Sequence, residues 1–67
     1  MLNEMLGPEP DLDTEVASGC IWRDKKRFCE MEAQSYFNDD VPITENPYFE
    51  NTWPWKWFND EYLKLCA

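Results

Sequence analysis

The shortness of the chain constrains its fold more than any other feature. A chain of 67 residues forms one domain at most, and it buries only about 60% of the surface that the unfolded chain exposes. Such a core supplies roughly 3–5 kcal/mol of net stability unless a staple or a partner adds to it. A pocket that enclosed a substrate would consume most of that core, so the length argues against an enzyme.

The residue types also argue against catalysis. Histidine, the side chain best suited to proton transfer near neutral pH, does not occur in the sequence. The two serines therefore lack an activating histidine, and the two glycines cannot build a glycine-rich phosphate loop. We predict that the protein is not an enzyme and uses no cofactor.

The cysteines indicate reduced thiols rather than a disulfide framework. Cys20, Cys29 and Cys66 are an odd, dispersed set, which suits neither paired bridges nor a zinc site. We expect Cys29 and Cys66 to act as small packing residues. Residues 1–6 lack the basic start of a signal peptide, and no apolar run is long enough to span a membrane. The sequence predicts a cytoplasmic protein that does not contact membranes.

The net charge of −8 is unevenly distributed along the chain. Residues 1–15 carry five acids and residues 30–52 carry six, with no basic residue in either segment. Between them lies a basic island, Arg23 to Arg27. Because most of this surface would repel a phosphate backbone, we expect no direct contact with nucleic acid and instead a partner protein with a basic surface.

The first half of the chain is predicted to be a tail followed by a helix. Residues 1–14 are interpreted as an acidic flexible tail that packs on nothing, because Gly7-Pro8-Glu9-Pro10 interrupts regular structure; the alternative is an arm that orders on a basic partner. Residues 15–67 form a single small helical domain. A hairpin and a helix both remain open for residues 19–30, and a helix is favoured because good helix formers follow. One face of this first helix carries Cys29, Ala33, Tyr36 and Phe37.

The second half is predicted to be a linker followed by a second helix. The first helix should end near residues 38–40, and the linker over residues 39–52 contains Pro42 and Pro47, with Tyr48 and Phe49 packed inward. A second helix over residues 52–66 is favoured over a strand, because a proline inside a strand confines it to an edge. The fold class is therefore mainly α: two short helices joined by a proline-containing linker, with a disordered acidic N-terminal tail.

Seven aromatic residues crowd between Tyr48 and Tyr62. Trp55, Phe58 and Tyr62 are predicted to form the core, whereas Trp53 and Trp57 lie one turn apart on another side of the helix. These two rings are either covered by the first helix and Tyr48 or exposed as an anchor for a partner. We predict the anchor, in which case Trp57→Ala weakens partner binding without unfolding the chain. The predicted partner-binding residues are Trp53, Trp57, Tyr48, Asp39, Asp40, Glu45 and Glu50.

One short motif resembles a known family. The step Asn46-Pro47-Tyr48, with Trp57 nine residues after the tyrosine, is similar to the ribosome modulation factor family and its phage-borne relatives. The resemblance spans residues 33–62 and implies two short helices joined by a linker, with a Trp-rich second helix. It also implies a ribosome-associated regulator. That family binds ribosomal RNA through a basic surface, so we do not expect the RNA-binding role to carry over to this acidic chain.

These features favour a small acidic inhibitor or adaptor that binds a basic host protein and is encoded by a phage or another mobile element. In its strongest form it mimics DNA, with carboxylates in the place of phosphates. The alternatives are the ribosome-associated regulator and an obligate structural subunit that forms a homo-oligomer through Trp53 and Trp57.

Overall fold

A computed structural model of the chain describes residues 6–67. Two strands come first, β1 (Glu15–Ala17) and β2 (Cys20–Ile21), and they pair as an antiparallel hairpin. Two helices follow, α1 (Trp22–Asn38) and α2 (Trp53–Cys66), joined by a linker that contains a short 3-10 turn, Ile43–Glu45. The mainly α class with two helices is confirmed. Neither helix of this described part is long and apolar enough to cross a membrane.

Residues 19–30, for which a hairpin and a helix were both open, form the end of a hairpin and the first part of α1. Gly19 turns the chain with a φ of +77°, a left-handed conformation that suits glycine, and its N–H donates to the Glu15 carboxylate at 3.0 Å. Residues 20–21 then pair with β1, so the favoured helix begins only at Trp22. The helix prediction is confirmed from that residue onward and is wrong for residues 19–21. A hairpin over residues 19–30 is also wrong, because residues 22–30 are helical and the observed hairpin lies before them.

Both predicted ends of the inter-helix segment are confirmed. Helix α1 ends at Asn38, within the predicted polar turn. Helix α2 begins at Trp53, and the Thr52 hydroxyl accepts a hydrogen bond from the Trp55 N–H at 3.4 Å. Pro54 occupies the first turn, where the missing N–H removes no helical bond.

The core lies between the two helices. Cys29 and Ala33 of α1 and Trp57 and Phe58 of α2 are buried. The predicted inner face of α1 is therefore correct, with Tyr36 and Phe37 half-buried beside it. Edge-to-face contacts between aromatic rings fill the space between the helices, including Tyr36 against Phe58 at 5.0 Å and Phe37 against Tyr62 at 5.7 Å.

Three side-chain predictions are wrong. Cys66 is exposed because it lies at the last turn of α2, so it does not pack in the core. Phe49 was expected to pack inward, but 87% of the residue is exposed. Trp57 was expected to be an exposed anchor, yet only 4% of it is exposed. The edge of the Trp22 ring covers it, with the ring centroids 5.9 Å apart and the planes at 71°.

The segment before the hairpin also differs from the expectation. The Arg23 N–H donates to the Leu12 carbonyl at 2.8 Å, and the Trp22 N–H donates to the Thr14 carbonyl at 2.9 Å. These bonds satisfy two of the free N–H groups at the start of α1. The prediction that the N-terminal segment packs on nothing is therefore wrong for residues 8–14. For residues 1–5 the same prediction lies outside the described residues.

The burial of Trp57 leads to a stability prediction. We expect Trp57→Ala to lower the free energy of unfolding by about 3–5 kcal/mol, the usual cost of removing a buried large aromatic side chain. Because a domain of this size has little more stability than that, the variant should be largely unfolded at room temperature. Urea denaturation followed by circular dichroism measures the change.

The matched control is Phe49→Ala, which removes a ring from the solvent-exposed side of the linker. We expect it to change the free energy of unfolding by less than about 0.5 kcal/mol. A Trp57→Ala chain as stable as the Phe49→Ala chain would contradict the assignment of Trp57 to the core.

Candidate functional site

Most of the predicted partner-binding residues lie on the linker. Its four acids are all exposed, and so is the phenylalanine between the last two of them. We call this set the linker surface: Asp39, Asp40, Glu45, Phe49 and Glu50. The remaining predicted residues, Tyr48, Trp53 and Trp57, are half-buried or buried and lie outside it.

The acids of the linker surface are not neutralised by ion pairs within residues 6–67. Four ion pairs form in this part of the chain, and each uses a carboxylate from the N-terminal segment or from α2. They are Arg23–Asp13 at 2.6 Å, Lys26–Glu9 at 3.8 Å, Lys56–Asp60 at 3.0 Å and Lys64–Glu61 at 3.3 Å. As far as the described residues show, the four acids of the linker surface therefore present unpaired negative charge to solvent.

Asp39 and Asp40 stand at an electrostatically unfavourable place. They follow the last residue of α1, where the helix dipole is negative, and the last turn of α1 contains no basic residue. Negative charge at this end opposes the dipole and costs about 0.3–1 kcal/mol. Asp40 also has a φ of +59°, a left-handed conformation that aspartate and asparagine adopt more readily than other non-glycine residues. Asp39 and Asp40 thus carry two charges that no ion pair among residues 6–67 compensates.

A hydrogen-bond hub at Asn46 holds the linker in place. The Asn46 side-chain amide donates to the Trp55 carbonyl at 3.1 Å and to Asn59 Oδ1 at 3.0 Å, and both acceptors belong to α2. The Asn46 Oδ1 in turn accepts from the Tyr48 N–H at 2.9 Å. One side chain therefore ties both the middle of the linker and its turn at Pro47 to the second helix.

Tyr48 supports the linker from the inside. Its ring lies 6.2 Å from the Phe58 ring and under the Lys25 ammonium, which is 5.1 Å from its centroid. Its hydroxyl donates to the Glu32 carboxylate. Burial and, after it, this hydrogen bond raise the pKa of Tyr48 well above its ordinary value. The tyrosine that was predicted to contact a partner thus packs between the linker and α1.

Two further hydrogen bonds hold the ends of the linker. The Tyr62 hydroxyl donates to the Val41 carbonyl at 2.8 Å, and the Thr52 hydroxyl donates to the Phe49 carbonyl at 2.7 Å. An open groove of about 300 Å³ lies beside the hub, and its walls include Ile43, Glu50 and Trp55. The linker has little regular structure, but it is anchored at its start, middle and end.

Phe49 is the functional candidate that the sequence reasoning missed. Tyr48 packs its ring against Phe58, whereas the side chain that follows it, Phe49, stays exposed. Two adjacent aromatic residues do not reveal from the sequence alone which of the two rings the core takes.

The basic island is largely engaged within the chain. Asp13 pairs with Arg23, and the hydrogen bond that the guanidinium donates to this carboxylate raises the pKa of the guanidinium. Lys25 lies over Tyr48, and Lys26 lies 5.9 Å from the Trp57 ring and pairs with Glu9. In the described part of the chain only Arg27 has no ion pair or aromatic partner among the four cations of the island.

The comparisons with known proteins return no relatives. A scan against known protein families finds no match, and searches of curated proteins and of solved structures find none either. The resemblance to the ribosome modulation factor family stays a prediction. Among residues 6–67, no cluster of three or more Cys, Asp or Glu side chains is placed to hold a metal ion.

The unfavourable position of Asp40 gives a direct prediction. We expect Asp40→Asn to raise the free energy of unfolding by about 0.3–1 kcal/mol, because it removes a charge from the negative end of α1. Asparagine tolerates the same left-handed backbone conformation, so the substitution isolates the charge. Urea denaturation at low ionic strength measures the gain, which should shrink in 1 M salt because the Debye length falls to about 3 Å.

The control is Glu45→Gln, which removes an exposed charge away from the end of α1. It should change the stability by less than about 0.5 kcal/mol. An Asp40→Asn chain that is no more stable than the wild type, or a gain that salt does not reduce, would show that Asp40 does not oppose the helix dipole.

Proposed function

We propose that this protein binds a partner protein with a basic surface and acts as a small acidic inhibitor or adaptor. The linker surface makes the contact. The single observation that carries the proposal is that four exposed acids, all without an ion pair within residues 6–67, stand on a segment that hydrogen bonds fix to both helices. The chain contributes charge, shape and one apolar ring, and the partner contributes the cations.

Charge and apolar contact make different contributions to binding. The unpaired carboxylates steer a basic partner toward the linker and select against acidic ones. Phe49, 87% exposed between Glu45 and Glu50 in sequence, is the ring that a partner can bury. Trp57 is not an anchor in this proposal, because its ring is already enclosed by the core.

The order of the linker is what makes a small surface effective. A flexible acidic segment would lose conformational entropy when it bound, and that loss would reduce its affinity. Here the hydrogen bonds of Asn46, Tyr62 and Thr52 hold the linker before any partner arrives. The cost of ordering is then met during folding of the chain rather than at binding.

The most specific version of this proposal is that the basic partner is a nucleic-acid-binding protein. On such a surface the linker carboxylates would occupy the positions of phosphates, as a mimic of DNA does. A phage or mobile-element origin is the matching biological setting. This proposal needs no direct contact with nucleic acid, and the internal use of Arg23, Lys25 and Lys26 supports that.

The decisive experiment removes the four linker charges without removing bulk. The variant Asp39→Asn, Asp40→Asn, Glu45→Gln, Glu50→Gln and the wild type are each immobilised and exposed to a bacterial lysate, and bound proteins are identified by mass spectrometry. We expect the wild type to retain a basic protein, and the variant to bind that protein at least about tenfold more weakly in a purified titration. The loss should appear mainly in the association rate and should diminish with salt.

A charge-matched control makes the same change elsewhere. Asp11→Asn, Glu15→Gln, Asp24→Asn and Glu30→Gln together remove the same four charges and leave the linker intact. If both variants lose the partner equally, net charge rather than the linker surface is responsible and the proposal fails. It also fails if the wild type instead co-sediments with ribosomes in a strongly salt-dependent manner, which is the behaviour of an RNA-binding regulator.

A further inference from the structure

A second surface, separate from the linker, lies on the other side of α2. Trp53 and Trp57 are one helical turn apart with ring centroids at 6.0 Å and planes tilted by 38°. Lys26 of α1 places its ammonium 5.9 Å from the Trp57 ring. We call the space bounded by these three side chains the tryptophan cleft. It combines two indole N–H donors with one cation.

The chain's own residues 8–10 lie in the tryptophan cleft. The Trp53 Nε1–H donates to the Pro8 carbonyl at 2.9 Å. The Trp57 Nε1–H donates to Glu9 Oε2 at 3.0 Å, and the Lys26 Nζ lies 3.8 Å from the same oxygen. Every polar group of the cleft therefore has a partner in a single short stretch with the sequence Pro-Glu-Pro.

The chemistry of this contact is that of peptide recognition rather than of core packing. The two prolines fix their own φ angles, and Pro10 restricts Glu9 to extended conformations, so the stretch is stiff and its carbonyl groups are available. Proteins that recognise proline-rich peptides use grooves lined by aromatic side chains in the same manner. The Glu9 carboxylate adds a negative charge, which the Trp57 indole N–H and the Lys26 ammonium bind.

The segment is attached to the rest of the chain by backbone hydrogen bonds on its C-terminal side. Leu12 and Thr14 are bound to the first turn of α1 through backbone hydrogen bonds, so the segment is anchored just after Pro10. A groove of about 300 Å³ remains beside Glu9, with Glu30 and Asp60 in its walls. The cleft therefore has room that residues 8–10 do not fill.

We infer that the tryptophan cleft is a recognition site for a short peptide of proline–acid–proline chemistry, and that residues 8–10 occupy it when no such peptide from a partner is bound. The occupant is a partner's peptide that carries this pattern. Because residues 8–10 are tethered, they compete at an effective concentration in the millimolar range. A partner's peptide must overcome this competition by filling the remaining groove.

The test opens the cleft in the full-length chain and supplies the peptide separately. Glu9→Lys places a like charge next to Lys26 and removes the acceptor of the Trp57 N–H. The probe is a synthetic peptide with the sequence of residues 6–12, and the readout is the set of ¹⁵N-labelled indole N–H signals. We expect the peptide to bind the variant saturably, to return the Trp53 and Trp57 signals toward their wild-type positions, and to bind the wild type about tenfold more weakly because of the tether.

Two controls and one replacement variant make the result decisive. A peptide with lysine in place of the glutamate should bind at least about fivefold more weakly, since a carboxylate hydrogen bond and ion pair are lost. Glu45→Lys makes the same charge change on the linker surface and should leave the indole signals in place. If Glu9→Lys does not fold, Glu9→Ala, which removes both the acceptor of the Trp57 N–H and its charge, takes its place in the titration.

The inference is overturned if neither Glu9 variant binds the peptide, or if the glutamate and lysine peptides bind equally. It is also overturned if light scattering shows that copies of the chain exchange residues 8–10 in a dimer while added peptide stays unbound. None of these outcomes bears on the linker surface, because the readout here is the two indole N–H signals and not the binding of a basic partner protein.

Discussion

The burial of the Phe58 ring holds the parts of this molecule together. Three tyrosine rings surround it: Tyr36 at 5.0 Å, Tyr48 at 6.2 Å and Tyr62 at 6.5 Å. They come from α1, the linker and α2 in turn, so one fully buried side chain connects all three. In a domain with so small a core, such a contact is a large fraction of the total stability. The linker is consequently part of the folded unit rather than a tether between helices.

Electrostatics divides the surface into a neutralised part and an acidic part. Within residues 6–67, every basic residue except Arg27 pairs with a carboxylate of the N-terminal segment or α2, or lies over an aromatic ring. The linker acids receive no such compensation in the described residues, and two of them oppose the dipole of α1. Proteins commonly retain locally unfavourable features where function requires them. The negative charge of the linker is consistent with that pattern.

Much of the fold was predictable from local signals. The end of α1 at the polar turn after Phe37, the Thr52 cap and the first-turn Pro54 follow from short-range rules that tertiary packing did not override. The hairpin was harder, because its shortness leaves little alternation to recognise. Strand β2 contains only two residues before the helix begins at Trp22.

The candidate sites were less predictable because they depend on which aromatic rings become buried in the core. Periodicity placed Trp53 and Trp57 on one side of α2, but it could not show that Trp22 and Glu9 would cover Trp57. Both covering residues are more than thirty positions away in the sequence. The exposure of Phe49 likewise follows from Tyr48 packing on Phe58, a contact between the linker and α2. The acids of the linker, by contrast, were recognised from charge alone.

The central claim is that the linker is ordered in the free protein. Native-state hydrogen exchange of the backbone amides tests it most directly, since the N–H groups of Val41, Glu45, Asn46 and Tyr48 all donate hydrogen bonds. The account predicts that these four amides exchange slowly, through the same unfolding event that opens the helices. Exchange of the four at the rate of an unstructured peptide, while the helices stay protected, would contradict it.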